Sequence, residues 1–147
     1  MILERITEDI KQAMRDRQEI RLGTLRMVLS ALRNETIAKQ HTLSEEEEIV
    51  LLQREAKKRK EASVQFFQGG RPELAQKEEQ EWGIISAYLP EQMSDEDLDS
   101  IVKQMIESLG ASSLADMGVV IGAVMKKVQG TADGSRVSAR VKKVLAQ

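Results

Sequence analysis

Apolar residues recur every three or four positions in segment after segment of this chain, and residues that cap or stop helices interrupt the recurrence. Ile2, Leu3, Ile6, Ile10, Ala13 and Met14 predict a first helix over residues 2–15. Leu22, Leu25, Val28, Leu29 and Leu32 mark one face of a second, reaching about Lys39. Ser44 and Glu47 have capping-box spacing, and Glu45 to Glu48 place negative charge at the positive end of a third helix, expected to run to about Phe67. Gly69-Gly70 stops it, and Pro72 suits the first position of a fourth, reaching about Ala87. The polar middles of helices three and four are expected to project from the main core, with Glu78-Glu79 in solvated helix. The fold class is all-α. Aromatic residues are only 3% of the chain, which suits a core of Leu, Ile, Val, Met and Ala.

Pro90 disfavours helix at Leu89 and cannot continue the helix before it. An extended four-helix domain is therefore expected over 1–89, followed by a small three-helix domain over 90–147. Ser94 caps the fifth helix, Leu98, Ile101, Val102, Met105, Ile106 and Leu109 form its buried stripe, and Gly110 ends it. Ser113 and Asp116 have capping-box spacing for the sixth, and Asp133 caps the last.

The most apolar run is D-M-G-V-V-I-G-A-V-M-K-K-V-Q-G-T-A-D-G, residues 116–134. Met117, Ile121, Val124 and Val128 share a helical face, and Gly118 and Gly122 share another. A glycine in a helix interior costs about 1 kcal/mol relative to alanine, so two need a reason. One reading is close approach of a neighbouring helix; the other is a flat face for an RNA backbone or a partner helix. On the final helix Val137, Val141 and Val144 form one line, with Arg136, Arg140 and Lys143 in a second beside it. Residues 117–147 hold six basic groups (Lys126, Lys127, Arg136, Arg140, Lys142 and Lys143) against Asp133, whereas residues 90–116 hold seven acidic groups against Lys103. Such segregation fits a negatively charged partner or complementarity between the helices themselves. Lys126, Lys127, Arg136, Arg140, Lys142 and Lys143 are the candidate RNA-binding residues. A second basic run, R-E-A-K-K-R-K at 54–60, reads first as a solvated helix surface and second as a phosphate-binding stripe.

The absence of cysteine excludes disulfides and thiol chemistry. His41 has no sequence partner to orient it and is read as a solvent-exposed loop residue. No glycine-rich nucleotide loop, Ser/Lys amidase pattern or metal-ligand cluster stands out, so no catalytic residue, cofactor or metal is expected. Met117 to Met125 is too short to span a membrane and no secretory leader is read, so a cytoplasmic location without membrane attachment is expected.

Y-L-P-E-Q-M-S at 88–94, the A-D-M-G-V-V-I-G-A-V-M-K-K-V-Q-G-T-A-D-G run at 115–134 and L-R-M-V-L-S-A-L-R-N-E-T-I at 25–37 resemble the GatB/YqeY family, in the family's order and over essentially the whole chain. The resemblance implies an N-terminal helical domain and a three-helix domain akin to the tail of the B subunit of glutamine-dependent tRNA amidotransferase, which contacts tRNA. The kinase-like core of that enzyme has no counterpart here. The implied function is a tRNA-binding accessory module without catalytic activity of its own. The alternatives are a module that engages an amidotransferase or another translation protein and, by kinship alone, a carbon–nitrogen ligase with glutamine as amide donor.

Overall fold

The computed structural model describes residues 1–128 and 130–146; Gln129, inside the glycine-bearing run, and Gln147, the last residue of the expected second domain, lie outside them. Among the described residues all regular structure is helical. The elements are α1 (Ile2–Arg15), α2 (Glu19–Lys39), α3 (Glu45–Gln68), α4 (Pro72–Ser86), α5 (Asp95–Leu109), a 3-10 turn (Leu114–Asp116), α6 (Met117–Val128) and α7 (Gly134–Leu145). They form two compact units, Met1–Leu89 and Pro90–Gln147.

In the first unit the apolar stripes close into one core. Ile6, Leu25, Val28, Leu32, Leu52 and Ile85 are each at most 1% exposed. Each such side chain contributes about 1.5–3 kcal/mol on burial. Ser44 caps α3 by accepting the Glu47 N–H at 3.2 Å. Glu48 does something its place in the acidic run does not suggest. It is 2% exposed and turns across to α1, where its Oε2 accepts the Leu3 N–H at 2.8 Å. The carboxylate thus caps a different helix, satisfying one of the donors that the first turn of α1 leaves unpaired.

The polar middles of α3 and α4 pack on each other. Arg59 lies between the two helices, 3.8 Å from Glu55, 3.5 Å from Glu78 and 3.7 Å from Glu81. Ser63, 1% exposed, donates to Glu79 at 3.3 Å. The expectation that Glu78 lies in solvated helix is therefore corrected: its side chain is 17% exposed and faces the guanidinium. Small residues allow the approach, since Ala56 on α3 and Ala75 on α4 are both buried.

The second unit is built on valine. Val120, Val124 and Val128 of α6 meet Leu98 and Val102 of α5 and Val137 and Val141 of α7, all at most 2% exposed. Ser94 accepts the Asp97 N–H at 3.1 Å, Ser113 and Asp116 form their box on the 3-10 turn before α6 rather than on α6 itself as expected, and Asp133 accepts the Arg136 N–H at 2.8 Å. Gly110 and Gly130 end their helices at φ 65° and 82°, where a side chain would be strained. The Met93 N–H donates to the Thr131 carbonyl at 2.7 Å, tying the chain before α5 to the turn before α7.

One expectation fails here. No helix approaches Gly118 or Gly122: both are exposed, and a Cβ built at either meets nothing within 4 Å. Val120, Val124 and Val128, with partly buried Met117, Ile121 and Met125, pack α6 into the core, so close packing does not explain these glycines.

Candidate nucleic-acid interface

The basic stripe of α7 begins at Arg136, just after the Asp133 cap, and runs beside the buried line of Val137 and Val141. The structure splits it in two. Arg136 donates from Nη2 to the Met93 carbonyl at 2.8 Å and to Asp95 Oδ1 at 2.9 Å. Arg140 lies 2.7 Å from Asp95 Oδ2 and 3.6 Å from Asp99 Oδ1. Both arginines thus fasten α7 to the start of α5. Hydrogen bonds from Arg136 first, then Arg140, hold the Asp95 carboxyl below its usual value of 3.8. For these two residues, complementarity between helices accounts for the charge segregation.

The lysines behave differently. Lys126, Lys142 and Lys143 are exposed, and none has an ion-pair or hydrogen-bond partner among the described residues. Lys127 is also exposed and reaches only the amide oxygen of Gln104, at 3.5 Å. On α6, Gly118, Gly122 and Lys126 follow one another at four-residue intervals, one helical turn apart, and all three are exposed. Val119 beside them is 65% exposed and Leu114 50%. The result is a face with two gaps, at Gly118 and Gly122, bordered by exposed apolar side chains and ending in a lysine pair. Backbone dipoles at the end of α6 favour cations there, so Lys126 and Lys127 bear charge where it costs the fold little.

The basic run at 54–60 is dispersed. Arg54 lies 3.7 Å from Glu35, Lys58 3.4 Å from Glu55, Arg59 occupies the α3–α4 seam, and Lys60 stands 4.9 Å over the Trp82 ring. The reading as a helix surface satisfied by its neighbours therefore holds for most of it. His41 is exposed in its loop, with Nδ1 2.9 Å from the Thr42 carbonyl. Among the described residues no group of three or more His, Cys, Asp or Glu side chains could hold a metal ion, and no single helix is long and apolar enough to cross a membrane.

A further cluster escaped the sequence reading. Tyr88 is 7% exposed, its hydroxyl donates to Asp9, and Arg5 lies 5.2 Å from the ring centroid. Burial first, and the bond to Asp9 second, push the Tyr88 hydroxyl up to about 12. The available signal was a lone tyrosine just before the Pro90 break, since a buried tyrosine hydroxyl needs a partner. Nothing in the sequence pointed to Asp9, 79 positions away.

An all-helical protein of two units, the second bearing a glycine face with unpaired lysines, is the class that fold and surface define. Comparison with known proteins makes this specific: residues 3–145 match the family described as Yqey-like protein, and the chain belongs to that family. Curated relatives carry the name "Altered inheritance of mitochondria protein 41, mitochondrial". The one from Pyrenophora tritici-repentis is 25% identical over 99% of this chain and 81% of its own length. The one from Vanderwaltozyma polyspora is 28% identical over 71% of this chain and 58% of its own, and one from Saccharomyces cerevisiae 29% over 69% and 56%. The matches to the two yeast proteins thus span little more than half their length.

Proposed function

We propose that this chain is an accessory module that binds tRNA through its second unit. The observation that carries the reading is the face of α6, where exposed Gly118 and Gly122 lead into Lys126 and Lys127. The gaps at Gly118 and Gly122 let a sugar–phosphate backbone approach the helix between Val119 and the lysines, and lysines outside ion pairs exchange condensed counterions for phosphate contacts. Lys142 and Lys143 add charge from α7 that the fold does not use. The family's kinship to the amidotransferase tail supports tRNA as the nucleic acid. The reading assigns no chemistry to the isolated chain.

The test is a tRNA titration at several salt concentrations, comparing the parent with a variant carrying Lys126→Glu, Lys127→Glu, Lys142→Glu and Lys143→Glu. The parent's affinity falls linearly on a log–log plot against salt, and the variant loses binding while keeping its helical spectrum, with only the modest drop in melting temperature that reversed charge at two helix ends brings. Equal binding by the two proteins rejects the proposal.

A second reading rests on the exposure of Leu114 and Val119 beside the glycines. The same face would then seat a helix of an amidotransferase or another translation protein. A pull-down after nuclease treatment separates the two: a partner retained without RNA favours docking, and loss of every partner counts against it.

A further inference from the structure

In the first unit, the turn between α1 and α2 and the end of α4 border an open cavity of about 960 Å³. Arg5, Arg17 and Arg21 line it, and Ile20, Ile84 and Ala87 give it apolar walls. Two carboxylates also line it, Asp9 and Glu19, but Asp9 is engaged: Tyr88 donates to it and Arg21 Nη2 lies 3.7 Å away. Arg5 is placed over the Tyr88 ring. Arg17 and Glu19 are the charged residues these contacts leave over. The Arg17 side chain is exposed, lines the cavity, and has no ion-pair or hydrogen-bond partner among the described residues.

The backbone makes Arg17 more unusual. It follows the C-cap Asp16 of α1 at φ 54°; its own N–H bonds to Met14 O at 3.3 Å and the next, of Gln18, to Ala13 O at 3.0 Å. This turn normally places glycine at that position, because any side chain there is strained. The fold gains nothing visible from an arginine at this point. The cavity gains a third guanidinium, beside those of Arg5 and Arg21.

The opposite wall is bare. Gly83 of α4 lines the cavity, and a Cβ added there meets nothing within 4 Å. A flat group can reach the α4 backbone between Ile84 and Ala87. The volume lies in the range of small-molecule sites and far exceeds what an inorganic oxyanion fills. With Arg5, Arg17 and Arg21 against Asp9 and Glu19, the lining keeps one positive charge in excess, and its guanidinium donors match the oxygens of a phosphate group.

We infer that this cavity binds a small organic phosphate, with its phosphate group at Arg17 and Arg21 and its apolar or planar body along α4 at Gly83, Ile84 and Ala87. This site is independent of the lysine surface of the second unit.

Calorimetric titration of the full chain with adenosine monophosphate tests it, with adenosine and inorganic phosphate as separate arms. The monophosphate binds at one site at least tenfold more tightly than either part. Arg17→Gly weakens it at least tenfold without lowering the melting temperature, because glycine suits the backbone there; Arg17→Lys recovers part of the loss. The variant with Lys126, Lys127, Lys142 and Lys143 changed to Glu binds the monophosphate as the parent does. No binding at millimolar concentration, equal binding of inorganic phosphate, unchanged affinity in Arg17→Gly, or loss in the lysine variant each overturns the inference.

Discussion

Arg140 Nη2 lies 2.7 Å from Asp95 Oδ2, while Arg136 holds the other oxygen of the same carboxylate at 2.9 Å. One aspartate in the first turn of α5 thus receives both arginines of the α7 stripe. The two arginines belong to the fold before they belong to any ligand. Replacing Arg136 and Arg140 together by Glu is expected to lower the melting temperature of the second unit, followed by circular dichroism. The lysine substitutions at 126, 127, 142 and 143 break no ion pair among the described residues and are expected to lower it less, through reversed charge at the ends of α6 and α7 alone. A tRNA-binding defect in the arginine variant would therefore mix lost contacts with lost structure, whereas the lysine variant isolates the surface.

The same carboxylate sets an acid limit. Its folded-state pKa lies below 3.8, so the stability it adds is fully present above the unfolded value and is lost as pH falls through the folded one. Asp95→Asn is expected to lower the melting temperature at pH 7. The gap to the parent should narrow as pH falls from 3.8 through the lower folded value, where the folded parent's carboxylate takes up its proton. A gap constant down to the acid transition would contradict this.

Tyr88 sets a limit at the alkaline end. Its hydroxyl is raised from 10.0 to about 12 in the folded chain. The stability linked to it is whole below pH 10 and lost as pH climbs through about 12. The chain has a single tyrosine, so phenolate absorbance reports this group alone. The absorbance midpoint is expected near 12 in buffer and near 10 in denaturant, and Asp9→Asn should lower the buffer value.

Arg59 is the most exacting polar residue of the first unit. Removing it leaves Glu55, Glu78 and Glu81 together in the α3–α4 seam, each about one-sixth exposed. Arg59→Met is expected to cost about 2–3 kcal/mol by urea unfolding at pH 7, because the carboxylates lose their common partner. Burial first, then the nearby Glu78, raise the Glu81 pKa above 4.5. The stability linked to Glu81 is thus present below pH 4.5 and lost as pH rises through its folded value. Glu81→Gln should therefore be harmless or mildly stabilising at pH 7.

The glycines of α6 give the sharpest separation of fold from surface. With open space at both positions, Gly118→Ala and Gly122→Ala are each expected to stabilise the chain by about 0.5–1 kcal/mol. A larger side chain such as Gln at 122 should also leave the melting temperature intact. If the glycine face seats tRNA, that variant binds tRNA more weakly despite its sound fold.

Helix identities and several caps were legible in the chain itself. Ser94, Ser113 and Asp133 cap where their spacing places them, and Gly110 and Gly130 stop helices in left-handed backbone, because capping is settled within about four residues of sequence. The apolar stripes of α5, α6 and α7 named Leu98, Val102, Val124, Val128, Val137 and Val141 as buried for the same reason, periodicity being a local property, but Leu109, expected in the α5 stripe, is 46% exposed at the helix end. The direction of each charged side chain was a different matter. Glu48 belongs by sequence to an acidic run but caps another helix; Glu78 reads as solvated but faces Arg59; Arg136 and Lys143 share a stripe but differ in use. The glycines looked like a packing seam, yet the packing lies on the other side of α6. A charge finds its partner across tens of residues, at a distance fixed only when the helices have docked. The sequence by itself therefore determined where helices start, stop and turn apolar. Tertiary packing alone decided which charges the fold consumes and which it leaves exposed.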